Sequence, residues 1–584
     1  MSDDLLISGG LIVDGTGGAP FGGDLLIRDG HIIEIGRIRA SGVRRIDADG
    51  ALVTPGFVDI HTHYDGQVCW DETLAPSSLH GVTTIVTGNC GVGFAPLRPN
   101  DQESLIALME GVEEIPGTAL FEGLSWNWES FADYLDAVDA IPHAVDIASQ
   151  IAHDPLRLYV MGARAAAGEP ATDEDISAMR ALAAEALRAG AVGLSTGRTD
   201  VHKTAGGADT PARLASPEEL AGLASALADA GRGVLQVVSD FRLRDGDSAF
   251  DPEFDLIDLM AEAAGRPLSL SLNQRDQAPK QWQRILARVE AANARGQDMK
   301  VQVAARGIGV FFGLETTLNP LMRFPSYRAI MHLPLAGRVA ALRDPALRAR
   351  ILSESPQALS GGASAVPPLA DMVLDRLDFF SLRMFRLDDS LDYEPPMSAS
   401  LYYEARARGV PVLEAIYDIM LEEEGERLLY FPIYNYARFD FSDLETMMRH
   451  PHALFGLSDG GAHVGTVCDA SFPTFLLAHW GRDRSRGPRL DLAWLVKKQC
   501  RDNALHMGFR DRGLLAPGMK ADINVIDHAR LALEPPRMVH DLPVGGKRLF
   551  QGARGYVATL VAGEPILLDD KPTGARPGRL VRSG

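Results

Sequence analysis

The sequence has only four cysteines, Cys69, Cys90, Cys468 and Cys500, and no two of them form a C-x-x-C pair. That excludes a disulfide scaffold and fits reduced thiols in a cytoplasm. No run of eighteen uncharged apolar residues occurs, so no membrane association is expected. The opening stretch, Met1-Ser-Asp-Asp-Leu-Leu-Ile, lacks the basic start and small-residue cleavage site of a signal peptide, so a cytoplasmic location is expected. Basic charge is also short. Lys and Arg number 57 against 78 Asp and Glu, a formal charge of −21, which argues against a nucleic-acid partner. Histidine is scarce in the middle of the chain: only His202 and His332 fall between residues 154 and 449. Nothing in the sequence speaks to oligomeric state.

What is present is a large apolar fraction, 46% of 584 residues, enough for a decorated barrel plus a smaller module. Residues 4–54 alternate short apolar runs with Gly-rich turns, and 521–526 and 556–564 offer matching strand patterns. Neither end buries both faces alone. The ends are therefore expected to meet in one small β-sandwich domain, 1–54 plus 510–584. Between them, apolar runs at 52–61, 82–90, 145–152, 191–197, 234–240, 267–273, 300–305 and 453–459 alternate with helical patterns at 173–189, 217–230 and 280–294. Eight such units predict an α/β fold, a (β/α)₈ TIM-like barrel over 55–509. The interval of about 306–450 is too long for one crossover and is read as an inserted helical subdomain near the mouth.

Two motifs carry the chemistry. Pro55-Gly-Phe-Val-Asp-Ile-His-Thr-His63 puts Asp59, His61 and His63 on one face of a strand, where two imidazoles grip one metal ion. Leu454-Phe-Gly-Leu-Ser-Asp459-Gly-Gly-Ala-His463 ends an apolar run in a carboxylate. First and last barrel strands are neighbours, so these groups converge, and imidazoles with a carboxylate suit zinc.

These motifs resemble the amidohydrolase superfamily. Thr87-Gly-Asn-Cys90-Gly-Val-Gly-Phe-Ala-Pro96 and Gly190-Ala-Val-Gly-Leu-Ser-Thr196 resemble its N-acyl-D-amino-acid deacylase (D-aminoacylase) branch. The resemblance implies Cys90 as a further ligand, against the alternative of a small buried thiol. It also implies that Asp459 both ligates and carries the proton of an attacking water. The branch places two more histidines at the ends of the fifth and sixth strands, where this sequence has Asp240 and Leu272. A single metal, Zn²⁺ by ligand type, is therefore expected on His61, His63, Cys90 and Asp459. Asp240 is either an extra ligand or an ordinary loop carboxylate.

The lysine that pairs with the substrate carboxylate in that branch is matched here by Gln274, with Arg275 beside it. His153 matches a branch histidine and either polarises a substrate carbonyl or is structural. Arg198, His202 and Lys203, after the fourth strand, and His463 are expected to contact a small-molecule substrate. The expected activity is metal-dependent hydrolysis of a non-peptide C–N bond in an N-acylated amino compound. The alternatives are an N-acyl-D-amino-acid deacylase proper, its carboxylate clamp rebuilt from Arg198, Lys203 or Arg275, and a degenerate non-catalytic barrel acting in binding.

Overall fold

The computed structural model describes residues 4–583, apart from 362, 363, 365 and 367. At its centre are eight parallel strands: β1 (Phe57–Asp59), β2 (Val82–Thr87), β3 (Asp146–Ala152), β4 (Gly193–Arg198), β5 (Val234–Ser239), β6 (Leu268–Ser271), β7 (Met299–Val303) and β8 (Ala453–Phe455). Each pairs with the next in sequence. The ring closes just past the ends of β1 and β8, where Thr62 pairs with Gly460. The Asp459 N–H donates to His61 O at 3.2 Å and the His63 N–H to Gly460 O at 2.7 Å. All eight strands contain only buried residues or one half-buried position, the pattern of a parallel sheet covered by helices.

The covering helices begin where the sequence provides caps. Thr172 and Asp175 form a capping box at Asp173–Ala189, and Ser216 caps Pro217–Ala230, which has proline in its first turn. The third expected helix runs Gln281–Ala294. No helix among the described residues is long and apolar enough to cross a membrane.

The first expected barrel strand, 52–61, is two strands. Leu52–Pro55 joins a different sheet, and the chain turns at Gly56 before β1. A Cβ at Gly56 would lie 2.2 Å from Thr83 Oγ1, so only glycine passes there. Leu52–Pro55 pairs antiparallel with Ile523–Ile526, and this joint unites the two chain ends in one nine-stranded sheet. Its arms pack on a shared core that includes Leu5, Leu25, Ile32, Ile523, Val525 and Leu560.

The inserted subdomain has its own apolar core, with Leu321, Tyr327, Ile351, Ile416 and Met420 fully or nearly sealed. It is not purely helical. Helices such as Pro345–Ser353 and Val412–Met420 pack beside a three-stranded antiparallel sheet of Gly309–Phe312, Phe385–Arg386 and Leu429–Pro432. Short strands of Phe and Val at 309–312 sit too close to β7 for periodicity to separate them from the barrel.

Candidate metal centre

β1 stops at Asp59, so His61 and His63 lie on the stretch leading out of the strand rather than within it. Strand alternation therefore does not extend to them. Asp59, expected on their face, instead accepts the Ser458 hydroxyl at 2.5 Å and the His61 N–H at 3.3 Å, and burial pushes it up to about 6.

Each imidazole is held through Nδ1. For His61 the partner is Gln302 Oε1 at 2.6 Å; for His63 it is Glu113 Oε1 at 3.0 Å. A ring held at Nδ1 presents Nε2, as in metal-ligating histidines braced by a second partner. His61 Nε2 is 3.3 Å from Cys90 Sγ and 3.4 Å from Asp459 Oδ1, and His63 Nε2 is 3.9 Å from that carboxylate oxygen. Cys90 sits just past β2 at φ 57°, its N–H bound by Gln236 Oε1 at 2.7 Å. The loops crowd here: a Cβ at Gly197 would meet Cys90 O at 2.3 Å.

His61, His63 and Cys90 are all buried and offer ligand atoms within 4.8 Å of one another. Burial alone would raise the Cys90 thiol, yet His61 and His63 outweigh it and hold the thiol below its ordinary pKa. Burial would likewise lower His63, but Glu113 and Cys90 hold it well above the usual value. Glu113, which burial would raise, is kept at about 2 by His63. A depressed thiol and two imidazoles with oriented Nε2 atoms fit a divalent ion of the zinc type.

A cavity of about 230 Å³ opens on this cluster, and His202, His463 and Asp240 line it with Asp459. Asp240 stays outside the donor cluster, its oxygens accepting the Asp200 and Arg242 N–H groups at 2.7 and 2.9 Å. The rings of His202 and His463 lie 6.2 Å apart, and burial, then His463, lower His202 to about 4.

Four expected substrate contacts are elsewhere. His153 is sealed, with Nδ1 at Thr196 Oγ1 (2.9 Å) and Nε2 at Glu219 Oε1 (3.0 Å), and it does not line the cavity. Arg198 is spent on Glu253 at 2.6 and 3.1 Å and on Ala215 O. Lys203 pairs with Asp209. Gln274 faces away, donating to Asp443 Oδ2 at 2.5 Å and accepting from the Ala437 N–H at 3.0 Å. Its neighbour Arg275 takes the cavity side instead, as alternating direction along an extended chain requires.

Sequence reasoning missed Glu113 and Gln302. Glu113 ends the helix Gln102–Glu113, far from either motif. Gln302 left a signal: it is one of several polar residues, with Gln150, Ser195, Gln236 and Ser269, inside otherwise apolar barrel strands, and all are buried. The apolar wall was also missed, because Val310, Phe312, Val373, Phe431 and Ile433 come from the insertion.

Residues 44–567 match the model of the amidohydrolase family. The chain belongs to the amidohydrolase family. It is a hydrolase acting on carbon–nitrogen bonds other than peptide bonds. This amidohydrolase is 28% identical to D-aminoacylase of Alcaligenes xylosoxydans xylosoxydans over 99% of its own chain and 97% of the relative. An N-acyl-D-aspartate deacylase of the same organism is 40% identical over 33% of this chain and 36% of the relative. Among solved structures, one concerning the functional role of the binuclear metal center in D-aminoacylase covers 100% of both chains at 25% identity, with a TM-score of 0.65.

Proposed function

We propose that this amidohydrolase cleaves the amide of an N-acylated amino compound, a small molecule, with one zinc ion held by His61, His63, Cys90 and Asp459. The observation that carries the reading is the convergence of His61 Nε2, His63 Nε2 and Cys90 Sγ on one point, with both imidazoles braced from behind. A divalent ion in such a site supplies Lewis-acid polarisation and makes water nucleophilic near neutral pH. Asp459, beside both imidazoles, takes the proton from the attacking water and returns it to the departing nitrogen. His202, kept neutral, and His463 face the substrate from the opposite loops. A cytoplasmic setting suits Cys90, since all four cysteines are free thiols.

Elemental mass spectrometry with a deacylation assay tests this. About one zinc per chain, with turnover lost on chelation and restored by zinc, is the expected result. A value near two would overturn the single-metal reading. No metal after reconstitution would favour a non-catalytic binding barrel.

A specific observation favours a second, narrower reading: an N-acyl-D-amino-acid deacylase proper, the activity named for the relatives. Every other buried arginine among the described residues has a carboxylate within 4.0 Å; Arg275, 7% exposed, has none. Its guanidinium is held by Ser239 O at 2.9 Å and Gln281 Oε1 at 3.3 Å, beside the Tyr434 ring. A buried guanidinium without an anion suits a substrate carboxylate. Faster hydrolysis of an N-acyl amino acid than of its carboxamide would support this reading, and the reverse order would count against it.

A further inference from the structure

The cavity over the metal cluster does not end at Arg275. A second chamber of about 390 Å³ adjoins it, and Asp240, Arg275, Phe431, Ile433 and Tyr434 form walls of both. Beyond that boundary the outer chamber is lined by Leu243, Arg244, Gln277, Met372 and Phe380. The loops after β4, β5 and β6 build it together with the insertion. Of its other charges, Arg244 pairs with Asp200 at 2.5 Å and Asp276 with Arg383, while Asp240 accepts the Asp200 and Arg242 backbone N–H groups. Arg275 is the cation of this lining without a carboxylate within 4.0 Å, and it lines both chambers.

Size makes the division informative. Pockets for small organic ligands run from roughly 300 to 1,000 Å³. The inner chamber, about 230 Å³, lies below that range and must also hold the scissile amide and the acyl group. We propose that the leaving amine extends through the junction, so that the outer chamber is a subsite for a second amino-acid-sized unit and Arg275 receives its terminal carboxylate. The substrate class is then an N-acylated dipeptide-sized amine rather than a single acylated amino acid. This rests on the amide-hydrolase reading above and goes beyond it in naming the length of the leaving group.

The test compares the zinc-loaded full chain on N-acetyl amino acids and N-acetyl dipeptides, both enantiomers at the first residue. The dipeptides should show a kcat/KM higher by about tenfold or more, the scale of discrimination that one added pocket contact supports. Leu243→Trp, at a half-exposed position that tolerates bulk, should fill the outer chamber and remove that advantage while leaving the short substrates within about twofold. Met372→Trp tests the same chamber from the insertion side. Equal rates on the two lengths, or preference for the short one, would overturn the subsite alone. Equal slowing of both lengths by Leu243→Trp would make the chamber an entry route and overturn it too. Hydrolysis of neither would overturn the parent reading together with this one.

Discussion

Glu113 Oε1 stands 3.0 Å from His63 Nδ1, with both side chains almost fully sealed from solvent. The other imidazole, His61, rests on a neutral amide, Gln302. One imidazole is thus braced by a charge and the other by a dipole. The charged brace makes His63 the stronger donor and the more vulnerable one.

Glu113→Gln keeps the shape and removes the charge. Metal affinity, read by competition with a chromophoric chelator, should fall by about 10- to 100-fold, as when outer-shell partners of ligating histidines are lost. Gln302→Ala should have the smaller effect. Unchanged affinity in Glu113→Gln would show that the pair serves packing alone.

Asp459→Asn should retain the fold and lower kcat by about 10²- to 10⁴-fold, the range for loss of a positioned proton carrier. A melting curve close to that of the parent would locate the defect in the chemistry. Substantial residual turnover would exclude Asp459 as the base.

His153 is a structural test case. It shares Glu219 with Arg157, whose Nε lies 2.6 Å from the same oxygen. Removing the imidazole strips a buried carboxylate of one donor, at about 1–3 kcal/mol. Unfolding of His153→Ala in urea should shift accordingly, with KM unmoved. A raised KM without loss of stability would return His153 to the substrate site.

His506 has no hydrogen-bond partner on either ring nitrogen, and burial, then Lys300, lower it to about 3. Its folded pKa is below its unfolded one, so the unfolded chain binds the proton more readily. Stability from this group is full above about 6.5 and is lost as pH falls from there toward 3. In urea unfolding at a series of pH values, His506→Leu should give a shallower decline across that window. An unaltered slope would assign the acid sensitivity to other groups.

Much of the barrel was legible because its strands are continuous β-branched and apolar runs, such as Val82-Thr-Thr-Ile-Val-Thr87, and its helices carry cap residues such as Thr172 and Ser216. The meeting of His61, His63 and Cys90, with Asp459 beside His61, was legible because each sits where a strand gives way to a loop. Glu113 was not, since a helix-terminal glutamate has no local mark that distinguishes it from a solvated one. Arg198 and Lys203 misled for a related reason. Their sequence position places them near the mouth, but only the structure reveals Glu253 and Asp209, which consume their charges. Gln274 and Arg275 differ by one position, and that single step decides which lines the cavity.

The seam at Thr62 and Gly460 gives the centre an unusual dependence on the rest of the chain. Asp59 and Ser458, which flank it, are separated by 399 positions, yet His61, His63 and Asp459 beside them share a cavity only when the ring is shut. A half-assembled barrel has the histidines at one end of an open sheet and the aspartate at the other. With the proposed ligand set, ion capture marks completion of the circle, and a bound ion would act as a clasp across the joint, drawing the equilibrium toward the closed ring by mass action.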